Sequence, residues 1–247
     1  MTHVVPETGQ DVERWLAEAY IDPAVSELRP DYAALLIVVE GLRPGPSDAE
    51  SDALLAAAEE KARTLLDGRA PHELEHLSQW RDAFRAFGAK PQRTRPSAEA
   101  LLRRVEAGLP RIDRITDAYN AVSVAHALPI GGEDLDTYVG PARLVRASGD
   151  EPFDTQQNGE PVVENPDPGE VVWRDDKGVT CRRWNWRQCV RTRITHATTR
   201  GLFILDGLGA LGVDGLQAAA DELIANLTRL SPGATAVTRL LTAARSS

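Results

Sequence analysis

The sequence is short of cysteine, of positive charge and of long apolar runs, and each shortage excludes something. Two cysteines, Cys181 and Cys189, among 247 residues give no disulfide framework and too few thiolates for a structural metal site. The longest apolar run, "AALLIVV" at 33–39, is far below the ~20 residues that cross a bilayer. The start, "MTHVVPETGQDVERW", lacks the basic residues and apolar stretch of a secretory signal. A net charge of −9 argues against indiscriminate nucleic-acid binding, although it leaves room for a local basic groove. No P-loop, zinc spacing or dinucleotide fingerprint occurs, and "GLG" at 207–209 is no nucleotide loop. "EDLD" at 133–136 offers carboxylates without further oxygen ligands at loop spacing, so no metal is expected. These absences together predict a soluble, cytoplasmic chain that uses no cofactor.

What is present is patterned for mixed helices and strands. "ELRPDYAALLIVVEGL" (27–42) reads as a buried strand between Pro30 and Gly41. Ser47 stands where an N-cap is wanted, before a helix rich in early acids, with Lys61 and Arg63 late and Gly68 closing it. A second helix is predicted from about 72 to 87. "AKPQRTRP" is an extended connector, and Ser97 then caps "AEALLRRVEAG", with Glu99 and Glu106 outside and Leu101, Leu102 and Val105 inside. One helix is predicted through "ITDAYNAVSVAHAL", stopping before Pro129, and Gly131–Gly132 is read as the turn that ends it. Beyond it, short apolar runs broken by Gly, Pro, Asp and Asn predict strands and hairpins, with "DDKG" as a turn. Residues 214–230 close the chain as an amphipathic helix. The expected fold class is α+β, with mixed or antiparallel sheets flanked by helices, in one domain spanning 1–247.

The densest chemistry lies in "TCRRWNWRQCVRTRIT" (180–195), which sets five arginines around Trp184 and Trp186. On a continuous strand, Arg183, Asn185, Arg187, Cys189, Arg191 and Arg193 share one face, and Arg182, Trp184, Trp186 and Gln188 the other. Five guanidinium groups cannot all be buried without partners. They meet either the protein's own excess carboxylates or external phosphates, which Arg matches with two parallel hydrogen bonds. His126 reads as a satisfied helix histidine, His196 as a turn residue, and Asp206 as the turn aspartate after "LFIL".

The order of these segments resembles a known family. "FGAKPQRTRPSAEALLRRVEAGLPRIDRITDAYNAVSVAHALPIGGEDLD", then "GEVVWRDDKGVTCRRWNWRQ" and "TRITHATT", resemble free-standing B3/B4-domain proteins. These are similar to the B3/B4 editing module of the bacterial phenylalanyl-tRNA synthetase β subunit. The likeness covers about 84–208, with residues 1–83 as an N-terminal α/β extension. It implies an α+β body that hydrolyses wrongly charged aminoacyl-tRNA without metal or nucleotide. The family's helix Asn falls on Asn120. Its turn histidine falls on Gly131, followed by Gly132, and its glycine-rich pocket loop on Asn185, Trp186, Arg187, Gln188 and Cys189. A later family Glu has Asp206 as its nearest acid, two residues out of register. These departures imply a pocket that is smaller or more polar than one for tyrosine.

On this resemblance, Asn120, Gly131, Gly132, Asn185, Trp186, Arg187 and Gln188 are the expected substrate-binding residues. Glu133 and Asp206 are the expected catalytic carboxylates, and Arg183, Arg191 and Arg193 the expected contacts to RNA. The partner implied is the 3′ end of an aminoacyl-tRNA, with an unidentified amino-acid moiety. Two alternatives stand beside it: a non-catalytic RNA-binding or tRNA-binding protein, and a binder or hydrolase of free amino-acid derivatives.

Overall fold

The computed structural model describes residues 9–243. In chain order its elements are α1 (Gly9–Glu18), β1 (Tyr20–Ile21), α2 (Pro23–Leu28), β2 (Ala33–Glu40), α3 (Ala49–Leu66), α4 (Glu75–Ala86), α5 (Ser97–Leu102) and α6 (Arg114–Ala125). They continue with β3 (Ile130–Asp134), β4 (Arg143–Arg146), β5 (Phe153–Gln157), β6 (Glu160–Glu164), β7 (Val171–Arg174), β8 (Val179–Arg182), β9 (Arg187–Gln188), β10 (Arg200–Gly207), α7 (Gly212–Leu230) and β11 (Thr235–Thr242). The fold class is α+β, as the sequence predicts.

The unbroken apolar run of β2 has a direct cause: both of its faces are covered. β2 lies inside an antiparallel sheet of order β11-β2-β10-β3. Leu35, Ile37 and Val39, with Phe203 and Leu205 of β10, point to one side, where α6 and α7 pack. In α7 the buried Leu216, Ala219, Ala220, Leu223, Leu227 and Leu230 recur at helical spacing and form the stripe that fits there. Ala34, Leu36 and Val38, with Leu202 and Ile204, point to the other side, toward Trp15, Trp80, Trp173 and Trp184. That second core joins the first sheet to one of order β1-β4-β7-β8-β9, in which only β1–β4 is parallel. It runs from Val12 to Leu241 and takes residues from before and after position 84.

Several local expectations are corrected. Asp48, not Ser47, caps α3: its carboxylate accepts from Glu50 N and Ser51 N, and the Ser51 hydroxyl accepts from Asp48 N. Ser47 instead donates its hydroxyl to the buried Asp117, at 2.6 Å. Asp48→Ala is expected to lower stability by about 1 kcal/mol, as loss of an N-cap does, which a urea titration would read. Glu99 is fully buried, not outside, because Arg81 reaches it from α4 and neutralises it at 2.5 Å. Gly131 and Gly132 belong to β3 and make no turn. α7 does not end the fold, since β11 follows it and pairs with β2.

Segment 180–195 is not one strand. β8 stops at Arg182 and β9 spans Arg187–Gln188, with a four-residue turn between them. Arg183 and Trp184 take positive φ, 48° and 67°, a conformation that costs about 1–3 kcal/mol for each non-glycine residue. Three contacts hold it. Glu170 accepts from Arg183 N, Val171 O accepts from Trp184 N, and the Trp184 ring packs edge-on to Tyr32 and Trp80.

Candidate functional site

The strained turn forms one wall of a cavity of about 320 Å³ between the two sheets. β3 and β10 supply its floor with Gly131, Glu133, Ile204 and Asp206. α6 supplies Thr116, Tyr119 and Asn120, and Trp173 and Cys181 of β7 and β8 face them. The turn and β9 contribute Trp184 to Gln188, and Ser97, Leu101 and Arg104 from the α5 segment edge the space.

Strand alternation decides which floor residues face inward. Gly131 and Glu133 share a face of β3, and a Cβ on Gly131 would stand 2.9 Å from the Gln188 amide nitrogen. The missing side chain is therefore the room that Gln188 occupies, and Gln188 Nε2 donates to Gly132 O at 3.1 Å. Gly132 faces the other way, where a Cβ would meet the Tyr119 ring at 2.7 Å. Leu202 is opposite Glu133 in the β10–β3 ladder, so Asp206 lies four residues further along the same face of β10. The two carboxylates thus mark two ends of one floor.

Both are held in unusual states. Burial pushes Glu133 up to about 7, against hydrogen bonds from Tyr138 and Thr192 that lower it. Burial likewise pushes Asp206 up to about 7. Tyr32 donates to Asp206 at 2.5 Å. The N–H groups of Asn185 and Trp173 also lower its pKa, although their geometry falls short of a full hydrogen bond. Asn185 is 94% buried, with 6% of its surface exposed, yet both ends of its amide lack a hydrogen-bond partner. The Trp173 and Trp184 indole nitrogens lack one as well. Unpaired buried polar groups are unfavourable, and here they line a space the size of a small ligand.

Most arginines of the segment are occupied within the protein. Arg182 is buried and pairs with Glu170 and Glu164. Arg187 reaches the cavity, pairs with Glu164 at 2.6 Å and lies over the Trp186 ring. Arg183 lies over the same ring and beside Glu170 and Asp167. Arg191 lies outside the cavity, held by the fully buried Asp175 and by Thr137 O. Arg193 is exposed, also outside the cavity, and its backbone bridges to Glu133. The cavity therefore brings together Asn120, Gly131, Glu133, Asn185, Trp186, Arg187, Gln188 and Asp206, and leaves Gly132, Arg183, Arg191 and Arg193 outside its lining.

Tyr32, Tyr138 and Trp173, which set the state of the carboxylates, escaped the sequence reading. Tyr32 and Trp173 sit in or beside apolar runs that read as ordinary core. Among the described residues no group of three or more His, Cys, Asp or Glu is arranged to hold a metal, and no helix is long and apolar enough to cross a membrane.

Two packed sheets flanking a cavity with a largely apolar lining and two carboxylates on its floor define an α+β protein. The chain belongs to the B3/4 domain family, whose profile matches residues 79–220. It is similar to an N-terminal fragment of the phenylalanyl-tRNA synthetase β-subunit from Pyrococcus horikoshii, with TM-score 0.45 and 14% identity over 90% of this chain. The match spans about half of that fragment, 50% of its length. No curated protein matches the sequence.

Proposed function

We propose that this protein is a trans-editing hydrolase that removes a wrongly attached amino acid from the 3′ end of a tRNA. One observation carries the reading: an amino-acid-sized cavity floored by two carboxylates, Glu133 and Asp206, each poised near neutral pH. Membership of the B3/4 domain family supports it.

An aminoacyl ester is already activated, so positioning and charge stabilisation do most of what is needed. A water oxygen adds to the ester carbonyl carbon, the ribose oxygen leaves, and the water's proton reaches that oxygen by way of a carboxylate. Glu133 or Asp206 holds the water, since a carboxyl near 7 accepts and returns a proton at neutral pH. Arg187 and Gln188 take the amino-acid carbonyl, and Asn120 the polar groups of the substrate. The rest of the cavity, walled by Tyr119, Trp173 and Trp186 but floored with acids, suits a small or polar side chain.

The test is deacylation of a panel of labelled aminoacyl-tRNAs. Loss of label is expected for a subset, with Arg187→Ala and Asn120→Ala each lowering kcat/KM by about 10²-fold, the scale of one lost carbonyl donor. A flat panel at high protein concentration sinks the hydrolase. A second reading, turnover of free aminoacyl derivatives without RNA, is favoured by the internal pairing of Arg182, Arg187 and Arg191. Ester turnover indifferent to tRNA competition would select it.

A further inference from the structure

The arginines that drew attention in the sequence are largely neutralised from within, yet cations beside the cavity are not. Residues 88–104, "GAKPQRTRPSAEALLRR", hold five cations and a single acid, Glu99, in a chain whose net charge is −9. Glu99 is buried and committed to Arg81 and Arg95. Lys90, Arg93, Arg103 and Arg104 are exposed. None of these four makes an ion pair among the described residues, although every arginine from 182 to 191 has found a carboxylate.

Their placement is specific. Arg104 edges the cavity itself. Lys90 and Arg93 line a neighbouring groove of about 430 Å³, with Arg183 and the two carboxylates that hold it, Asp167 and Glu170, on its other side. The connector is tied to the cavity wall by Ser97 N, which donates to Asn185 O at 3.1 Å. Cavity and groove also share the turn after β8: Arg183 faces the groove, and Trp184 to Gln188 face the cavity. On an acidic protein, exposed cations left without internal partners hold a surface open to an external polyanion.

The geometry points to this strip, Lys90, Arg93 and Arg104 with Arg103 beside them, as the seat of a single-stranded RNA backbone whose terminal nucleotide enters the cavity at Arg104. The inference rests on the hydrolase reading and names where its RNA lies. It moves the phosphate contacts from Arg191 and Arg193 to the connector and the end of α5. RNA is preferred over another polyanion because the strip ends at a cavity that admits one small group. A strand with a free end can thread that arrangement, whereas a membrane surface cannot.

The experiment is fluorescence titration of a short labelled single-stranded RNA across a salt series. It compares the wild type, the triple variant Lys90→Ala/Arg93→Ala/Arg103→Ala, and a control, Lys61→Ala/Arg229→Ala, whose lost charges lie on α3 and α7. None of the three substituted strip residues lines the cavity, and all are exposed, so circular dichroism of the triple variant should match the wild type. Each lost phosphate contact flattens the slope of log K against log salt by about 0.7, so the triple variant should lose about 2 of the slope and the control none. Equal slopes in triple variant and control, or no RNA binding by the wild type at low salt, would overturn the strip. Turnover of a small aminoacyl ester, measured in parallel, separates the two ideas. Ester turnover without RNA binding removes the strip and leaves a hydrolase. Strip-dependent RNA binding with neither ester nor aminoacyl-tRNA turnover removes the hydrolase and leaves the strip.

Discussion

Glu170→Ala should lower the unfolding free energy by about 3–5 kcal/mol, the range for removing one partner of a buried ion pair. Glu170 is 3% exposed. Its carboxylate accepts from Arg182 Nε at 3.0 Å, from Arg182 Nη2 at 2.7 Å and from Arg183 N at 2.9 Å. Truncation leaves the buried Arg182 guanidinium with only the half-exposed Glu164. It also removes one of the three anchors of the positive-φ turn at Arg183 and Trp184, leaving Val171 O and the ring packing to hold it. Guanidinium titrations of Glu170→Met, Arg182→Met and the double variant Glu170→Met/Arg182→Met would form the cycle, with Glu170→Ala measured beside it. The double variant should be markedly less destabilised than Glu170→Ala, because replacing both charges with apolar groups avoids an orphaned ion. If Glu170→Ala melts like the wild type, the pair is no anchor, and the rigid cavity wall needs another explanation.

That cycle also shows why the arginine segment could not be placed from sequence. A strand assignment splits side chains by parity, and parity is lost as soon as two residues turn left-handed. Glycine announces such a turn, but Arg183 and Trp184 do not, and Glu170, Val171, Tyr32 and Trp80, which hold it, lie elsewhere in the chain. Glu99 misled for the same reason, since its partner Arg81 stands 18 residues away. Local signals did suffice where the cause is local. The apolar run of β2, the capped α3 and the leucine stripe of α7 were all legible, with boundaries off by a few residues. β11 was not, because Thr235–Thr242 is an edge strand with mostly exposed residues and little apolar alternation. Asp206 reads as a turn residue until β10 is seen to run through it. The state of its carboxyl depends on Tyr32, 174 positions away, which no pattern in the sequence connects to it.

Asp206→Asn and Glu133→Gln should each stabilise the fold near pH 8 while removing most of the deacylation. An ordinary Asp or Glu has its pKa near 3.8 or 4.5, and in the fold each of these two stands near 7. The folded protein therefore holds those protons more tightly than the unfolded chain. The stability they contribute is whole below about pH 4, falls as pH rises toward 7 and stays lost above that. A shift of this size corresponds to on the order of a few kcal/mol per group. The neutral amides have no such term, so each variant's stability relative to the wild type should climb from about pH 4 to 7 and then level off. Asp31, Glu151 and Glu222, whose pKa values are lowered, work in the opposite sense and cancel in that difference. The groups facing Asp206 are Tyr32, Asn185, Trp173 and, further off, Glu133, and those facing Glu133 are Tyr138, Thr192, Asp175 and Arg191. None carries a positive charge opposite Asp206, so the N–H and O–H groups of Tyr32, Asn185 and Trp173 offset only part of the cost of its ionisation. Losing an acid–base group should lower the rate by about 10²–10⁴-fold, and wild-type activity should rise with pH through about 7 as the carboxylate forms. Denaturant titrations of wild type and both variants across this pH range, with deacylation measured alongside, would decide the matter. Parallel stability curves would mean that the carboxyls are not held protonated, and unchanged turnover in either variant would strike that residue from the mechanism.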